Sequence, residues 1–169
     1  MKKIYDLSIK YDFKIIEDAS HALGASYKDK MIGENNFSLA SVFSFHPVKM
    51  ITTGEGGAVL LNSEKDQIKA LSLRSHGIDP TKSLEINKKP GWYYEQSELG
   101  YNFRMSELQA ALGSSQIERL NQFIKKRNVL AKYYKKHLAV LPVKFQKILP
   151  NCVSSYHLFT IELTDKKFS

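Results

Sequence analysis

The run Ser41-Val-Phe-Ser-Phe-His-Pro-Val-Lys-Met-Ile-Thr-Thr-Gly-Glu-Gly-Gly57 constrains this chain more than any other stretch. Val42, Phe43 and Phe45 are β-branched or aromatic and the run is short, so it opens as a β-strand. Pro47 has no N–H to give to a ladder and ends it. Lys49 follows two residues later, then Thr52, Thr53 and the turn-forming Gly54-Glu55-Gly56-Gly57. A lysine just past a strand end, beside hydroxyls and free backbone N–H groups, suits imine chemistry next to a bound anion. Low-dielectric surroundings favour the neutral amine, which condenses with an aldehyde. The plainer reading is a solvated loop lysine beside a glycine turn, and the run alone leaves both open.

The rest of the chain narrows the class. Its 169 residues allow one modest domain with a real core. The single cysteine, Cys152, excludes an internal disulfide framework and suits a reducing cytoplasm. Met1, Lys2 and Lys3 look like the start of a signal sequence, but Asp6, Lys10 and Asp12 interrupt any apolar continuation. No window is apolar enough for a membrane span, so a cytoplasmic location and no membrane partner are expected. The net charge is +8; acids and bases balance over residues 1–120, and the excess lies in 121–169. There Lys125, Lys126, Arg127, Lys132, Lys135 and Lys136 alternate with helical apolar positions, the pattern of a solvated helix face. Without a nucleic-acid module in the chain, nucleic acid is not an expected partner.

Taken in order, residues 3–11 space Ile4, Leu7 and Tyr11 as a helix does, and Phe13 to Ile16 read as a short buried strand ending at Glu17-Asp18. An acid at the carboxyl end of a parallel strand stands where open α/β sheets bind ligands, although a cap or turn role suits Asp18 equally. His21 follows three residues later. A metal pair with His46 as third ligand lacks the closely spaced ligands that such a site needs, and a packed histidine competes with a ligand role. Residues 25–32 predict a small hairpin, and Gly57 to Asn62 a second, buried strand. Ser63 and Asp66 start a helix that Gly77 can end. Residues 78–100 form a long loop carrying Trp92, Tyr93 and Tyr94. Ser106 and Gln109 make a capping box for the next helix. A helical pattern runs on from Ser114 to Leu138. Leu141-Pro142-Val143 breaks it, residues 151–155 read as loop, and Tyr156 to Leu163 alternate like a strand.

Three strings share one resemblance. Ser44-Phe-His-Pro-Val-Lys-Met-Ile-Thr-Thr-Gly-Glu-Gly-Gly-Ala-Val59, Ile16-Glu-Asp-Ala-Ser-His-Ala-Leu-Gly24 and Gly100-Tyr-Asn-Phe-Arg-Met-Ser-Glu-Leu-Gln-Ala-Ala-Leu-Gly113 together resemble the DegT/StrS-type sugar aminotransferases, which use pyridoxal phosphate (PLP). The resemblance implies an α/β fold: part of a fold-type I PLP-transferase large domain, a mostly parallel sheet with flanking helices, leading by a long helix into a small α+β domain. The implied division is 1–113 for the large domain, 114–140 for the bridging helix and 141–169 for the start of the small domain. It also implies that Lys49 is the Schiff-base lysine, that Asp18 keeps the pyridine nitrogen of PLP protonated, and that His21 reaches the cofactor ring. Ser44 would bind the phosphate, and Asn102 the phosphate of a neighbouring subunit, so that a homodimer shares the site. His46 and Tyr101 are weaker candidates, for substrate contact. Relatives that act as PLP- or PMP-dependent sugar dehydratases have histidine at the position of Lys49, so the lysine favours transamination.

The run from Trp92 to Asn102 resembles the branch of the pseudaminic-acid pathway, which aminates C4 of UDP-linked 4-keto-6-deoxy-N-acetylhexosamines. Glutamate is the implied amino donor. Family members are more than twice as long as this chain, with sheet strands before Asp18 and a larger small domain. An internal fragment is therefore expected, folding poorly and inactive alone, or a non-catalytic remnant or partner subunit.

Overall fold

The computed structural model describes residues 1–78 and 93–164. Most of the expected 78–100 loop, including Trp92, lies outside them. Helix α1 spans Lys2–Tyr11 and ends on Asp12, whose left-handed backbone lets its N–H bond the Ser8 carbonyl. Strand β1 is Ile16–Asp18, so the strand expected from Phe13 begins three residues later and carries Asp18 as its last residue.

The centre of the structure is β4, Ala40–Ser44, of which Ala40, Ser41 and Phe43 are buried. It pairs in parallel with β1, Asp18 opposite Val42, and antiparallel with β5, Gly57–Leu61, giving the order β1-β4-β5. The parallel pairing sets the carboxyl ends of β1 and β4 on one rim of the sheet. The buried strand expected at Gly57 is an end strand among the described residues, with Val59 and Leu60 largely exposed. Apolar composition marks a strand but does not say what covers its faces.

A buried polar network secures this sheet. Ser41 Oγ donates to Asn35 Oδ1 (2.5 Å), Asn35 Nδ2 to the Leu60 carbonyl (2.7 Å), and Asn62 Nδ2 to the Asn35 carbonyl (2.9 Å). Both Ser41 and Asn35 are buried, and their polar atoms are mutually satisfied, as burial requires.

The hairpin appears as β2, Ser26–Tyr27, and β3, Lys30–Met31. Its two turn residues, Lys28 and Asp29, both have positive φ, which matches the twist of the flanking strands. A third strand joins it from far along the chain: β7, Cys152–Val153, within the stretch expected as loop. A two-residue strand carries no periodicity to read.

Helix α2, Glu64–Arg74, is capped by Ser63 Oγ, which accepts the Asp66 N–H. The Gly77 N–H returns to the Ser72 carbonyl, closing the helix as expected. The segment beyond folds against residues 96–103. The His76 N–H donates to the Tyr101 carbonyl, the Tyr101 N–H to the Leu73 carbonyl, and the Phe103 N–H to the Arg74 carbonyl. Lys69 pairs with Glu98 across the same junction. The two backbones meet at Gly77 and Gly100, where a Cβ on Gly77 would stand 1.9 Å from the Glu98 carbonyl oxygen.

The capping box of Ser106 and Gln109 is present and starts α3, Glu107–Ile117. The helix expected to run unbroken from Ser114 is therefore divided. Glu118 and Arg119 form a turn, and α4 runs from Leu120 to Leu138 with Ile124 and Ala131 buried. Apolar spacing continues through such a turn and does not reveal it. Beyond α4, β6, Val143–Phe145, pairs antiparallel with β8, Ile161–Leu163. Of the strand expected from Tyr156, only these last residues are extended; Tyr156 itself has φ 46°.

Gly77 has φ 73° and no room for a side chain. Gly77→Ala should cost more than about 1 kcal/mol through strain and steric overlap together. The urea midpoint should fall with little change in slope.

Candidate functional site

Lys49 is held by what precedes and follows it. Ser44 ends β4, and its Oγ accepts the His46 N–H at 3.4 Å. His46 Nδ1 accepts the Val48 N–H (3.3 Å), and its carbonyl accepts the Lys49 N–H (2.9 Å), so residues 46–49 close a tight turn. Met50 and Ile51 are then buried, at 4% and 2% exposure, which contributes about 2 kcal/mol each against leaving them in water. The chain returns to the sheet through paired bonds: the Thr53 N–H donates to the Phe45 carbonyl, and the Phe45 N–H to the Gly56 carbonyl. Thr52 Oγ1 donates to the Phe45 carbonyl and accepts the Gly54 N–H. The polar threonines of the motif thus build the loop. Lys49 projects from it half-buried, and its Nζ has no ion pair or hydrogen bond among the described residues.

Asp18 lies on the same rim. Its carboxylate accepts the Ser20 N–H at 3.1 Å. Bonds from the Ser20 hydroxyl and N–H, helped by the nearby cations of His21 and Lys49, hold Asp18 below the usual carboxylate range against a smaller opposing effect of desolvation. Asp18, His21 and Lys49 therefore share one electrostatic neighbourhood, and the carboxylate remains ionised at neutral pH.

A residue from the far end of the chain joins them. The ring of His157 lies 4.2 Å from that of His21, centroid to centroid, at 41°. Desolvation, then the cations of His21, Lys49 and Arg127, push the His157 pKa down and favour its neutral form. Ser155, also buried, donates from Oγ to the His21 carbonyl (2.9 Å) across 134 residues of sequence. Sequence reasoning missed His157, Ser155 and Ser20. His157 sits within a run that alternates like a strand, and nothing local in that run points back to His21.

The other candidates lie elsewhere or outward. His46 is exposed and 4.0 Å from Glu55. Tyr101 is exposed and stacks on Phe103 (4.7 Å, 4°). Asn102 bridges to Ser75, and its Oδ1 accepts the Arg104 Nε–H (3.1 Å). Neither Tyr101 nor Asn102 makes a hydrogen bond or ring contact with Asp18, His21, Ser44 or Lys49 among the described residues. Those residues contain no cluster of three His, Cys, Asp or Glu side chains able to hold a metal ion, and no helix long and apolar enough to cross a membrane.

The whole chain, residues 1–169, matches the description "DegT/DnrJ/EryC1/StrS aminotransferase family". The chain belongs to that family. It is 43% identical over 164 residues to a UDP-4-amino-4,6-dideoxy-N-acetyl-beta-L-altrosamine transaminase of Campylobacter jejuni, covering 96% of this chain and 41% of that protein. A transaminase of the same name from Helicobacter pylori is 37% identical, with 100% of this chain and 43% of that protein covered. The chain thus spans well under half the length of these relatives. Among solved structures, Helicobacter pylori PseC, an aminotransferase involved in the biosynthesis of pseudoaminic acid, superposes with a TM-score of 0.83 at 37% identity, covering 99% of this chain and 42% of that one. The fold of this DegT-family chain is that of the fold-type I PLP-dependent transferases, and PLP is the cofactor of the family.

The residues present fit that cofactor. An ionised carboxylate on the sheet rim, an amine with no ion pair among the described residues and a strand-end hydroxyl with one long bond suit a ring nitrogen, an aldehyde and a phosphate.

The Asp18 shift predicts a titration. A carboxyl whose folded pKa is depressed stabilises the fold above its unfolded pKa, and that contribution is lost as pH falls through the folded value. NMR should find the Asp18 midpoint below the ordinary aspartate value, and Ser20→Ala should raise it by removing the hydroxyl bond.

Proposed function

We propose that this chain is part of a PLP-dependent aminotransferase that moves an amino group from L-glutamate to C4 of a UDP-linked 4-keto-6-deoxy-N-acetylhexosamine. The observation that carries this reading is the electrostatic neighbourhood that Lys49, Asp18 and His21 share at one rim of the β1-β4 sheet. The sugar class is supported by the names of the Campylobacter jejuni and Helicobacter pylori relatives, and glutamate by the family resemblance alone.

When bound, PLP supplies an aldehyde for imine formation and a ring that accepts electrons. Lys49 would hold it through Nζ; once freed by the incoming amine, that Nζ would carry a proton from the Cα of the amino donor. Asp18, kept ionised by Ser20, would hold a proton on the pyridine nitrogen. Ser44 Oγ, at the end of β4, would anchor the phosphate. Asn102 bridges to Ser75 and bonds Arg104 in its own chain, and the family resemblance assigns it to the phosphate site of a second copy in a homodimer. The exposed apolar side chains around it support association: Leu99 is 90% exposed, Leu108 86% and Phe103 70%. The same exposure favours a reading in which this chain works only with further polypeptide, supplied by a partner.

Borohydride reduction of the chain with PLP, read by peptide mass spectrometry, tests the assignment. A pyridoxyl adduct should concentrate on Lys49 and vanish in Lys49→Ala. Labelling scattered evenly over the surface lysines, or none, would defeat the reading.

A further inference from the structure

The His21 side chain is exposed and makes no hydrogen bond among the described residues. A ring in that condition samples several rotamers unless something packs on it. What packs on it is His157, whose Nδ1 is buried and has no hydrogen-bond partner among the described residues. An unsatisfied buried nitrogen costs free energy, so the position is not explained by the polar needs of His157 itself.

The segment carrying His157 is firmly placed. Arg127 Nη1 donates to the carbonyls of Tyr156 (3.0 Å) and His157 (3.4 Å). Asn128 Nδ2 donates to the Ser154 carbonyl (2.9 Å), and Lys135 Nζ to the Tyr156 hydroxyl (3.2 Å). Helix α4 therefore grips residues 154–157 from one side, while Ser155 Oγ ties them to the His21 carbonyl on the other.

We propose that His157 is a positioning residue for the cofactor site: its ring packs on His21 and holds that imidazole facing the Asp18–Lys49 centre. The charged groups around it explain why the ring is a suitable wedge. His21 on the loop after β1, Lys49 on the loop after β4 and Arg127 on α4 are all basic, and Lys135 stands one residue away at Tyr156. The acid of the cluster, Asp18, lies with His21 and Lys49. A proton on His157 would add another positive charge to this basic group. His157 therefore meets His21 as a neutral ring.

The link between this role and catalysis rests on the PLP reading above, but the contact itself is measurable without cofactor. In the unaltered chain, NMR couplings should report a single dominant His21 χ1 rotamer, with ring protons displaced by the neighbouring ring. In His157→Ala the rotamers should average and the displacement disappear, and His157→Phe should restore both. One His21 rotamer in His157→Ala, with an unchanged backbone amide spectrum, would overturn the proposal. Should His157→Ala fail to fold, His21→Ala supplies the reciprocal test. It should raise the His157 titration midpoint by removing a neighbouring cation, and an unmoved midpoint would overturn the contact. With PLP present, borohydride labelling at Lys49 should fall in His157→Ala and recover in His157→Phe; equal labelling in all three would overturn the role at the cofactor site. Failure of the unaltered chain to be labelled would defeat the PLP reading, while the rotamer and titration measurements would still decide the positioning.

Discussion

The pairing of β4 with β1 on one side and β5 on the other is the constraint on which the site depends. A parallel pair brings two carboxyl ends to the same rim, so Asp18 and Ser44 share it although 26 residues separate them. The antiparallel partner β5 then fixes where the Lys49 loop must return. The Ser41–Asn35–Leu60 network lies within this three-stranded unit and ties the loop before β4 to the far strand. A slip of one residue would turn Ser41 outward and orphan that network, so polar satisfaction and register reinforce each other.

On that frame the Lys49 loop is held by a division of labour. The threonines and the His46 turn satisfy backbone groups, Met50 and Ile51 fill the interior, and Lys49 Nζ has no hydrogen bond or ion pair among the described residues. The residues that build the loop are thus different from the lysine it presents.

The remaining strings are coupled in the same manner. Arg74-Ser-His-Gly77 and Glu98-Leu-Gly-Tyr-Asn102, far apart in sequence, meet edge to edge through backbone bonds that require two glycines at the contact. Residues 154–157 return from beyond α4 to touch His21, so chain that follows all three motif strings takes part in the arrangement around His21. Exposed apolar side chains on α1, α3 and residues 99–103 leave faces that this chain does not cover by itself.

By itself, the sequence determined the elements whose signals are local. Pro47 marked the chain's departure from β4, which ends at Ser44, Ser63 and the Ser106–Gln109 box started helices, and the motif strings put Asp18 at a strand end, Ser44 on a strand and Lys49 just past it. These are short-range effects of backbone chemistry, capping and hydrophobic spacing. Tertiary structure decided the rest, because the deciding contacts span the chain. β7 is too short to show a period and exists through β2. The turn at Glu118 and Arg119 interrupts a pattern whose spacing never falters. Tyr156 and His157 alternate like strand residues, yet the grip of Arg127 and Ser155 on their segment bends it toward His21. Only the folded chain shows which histidine stands beside which.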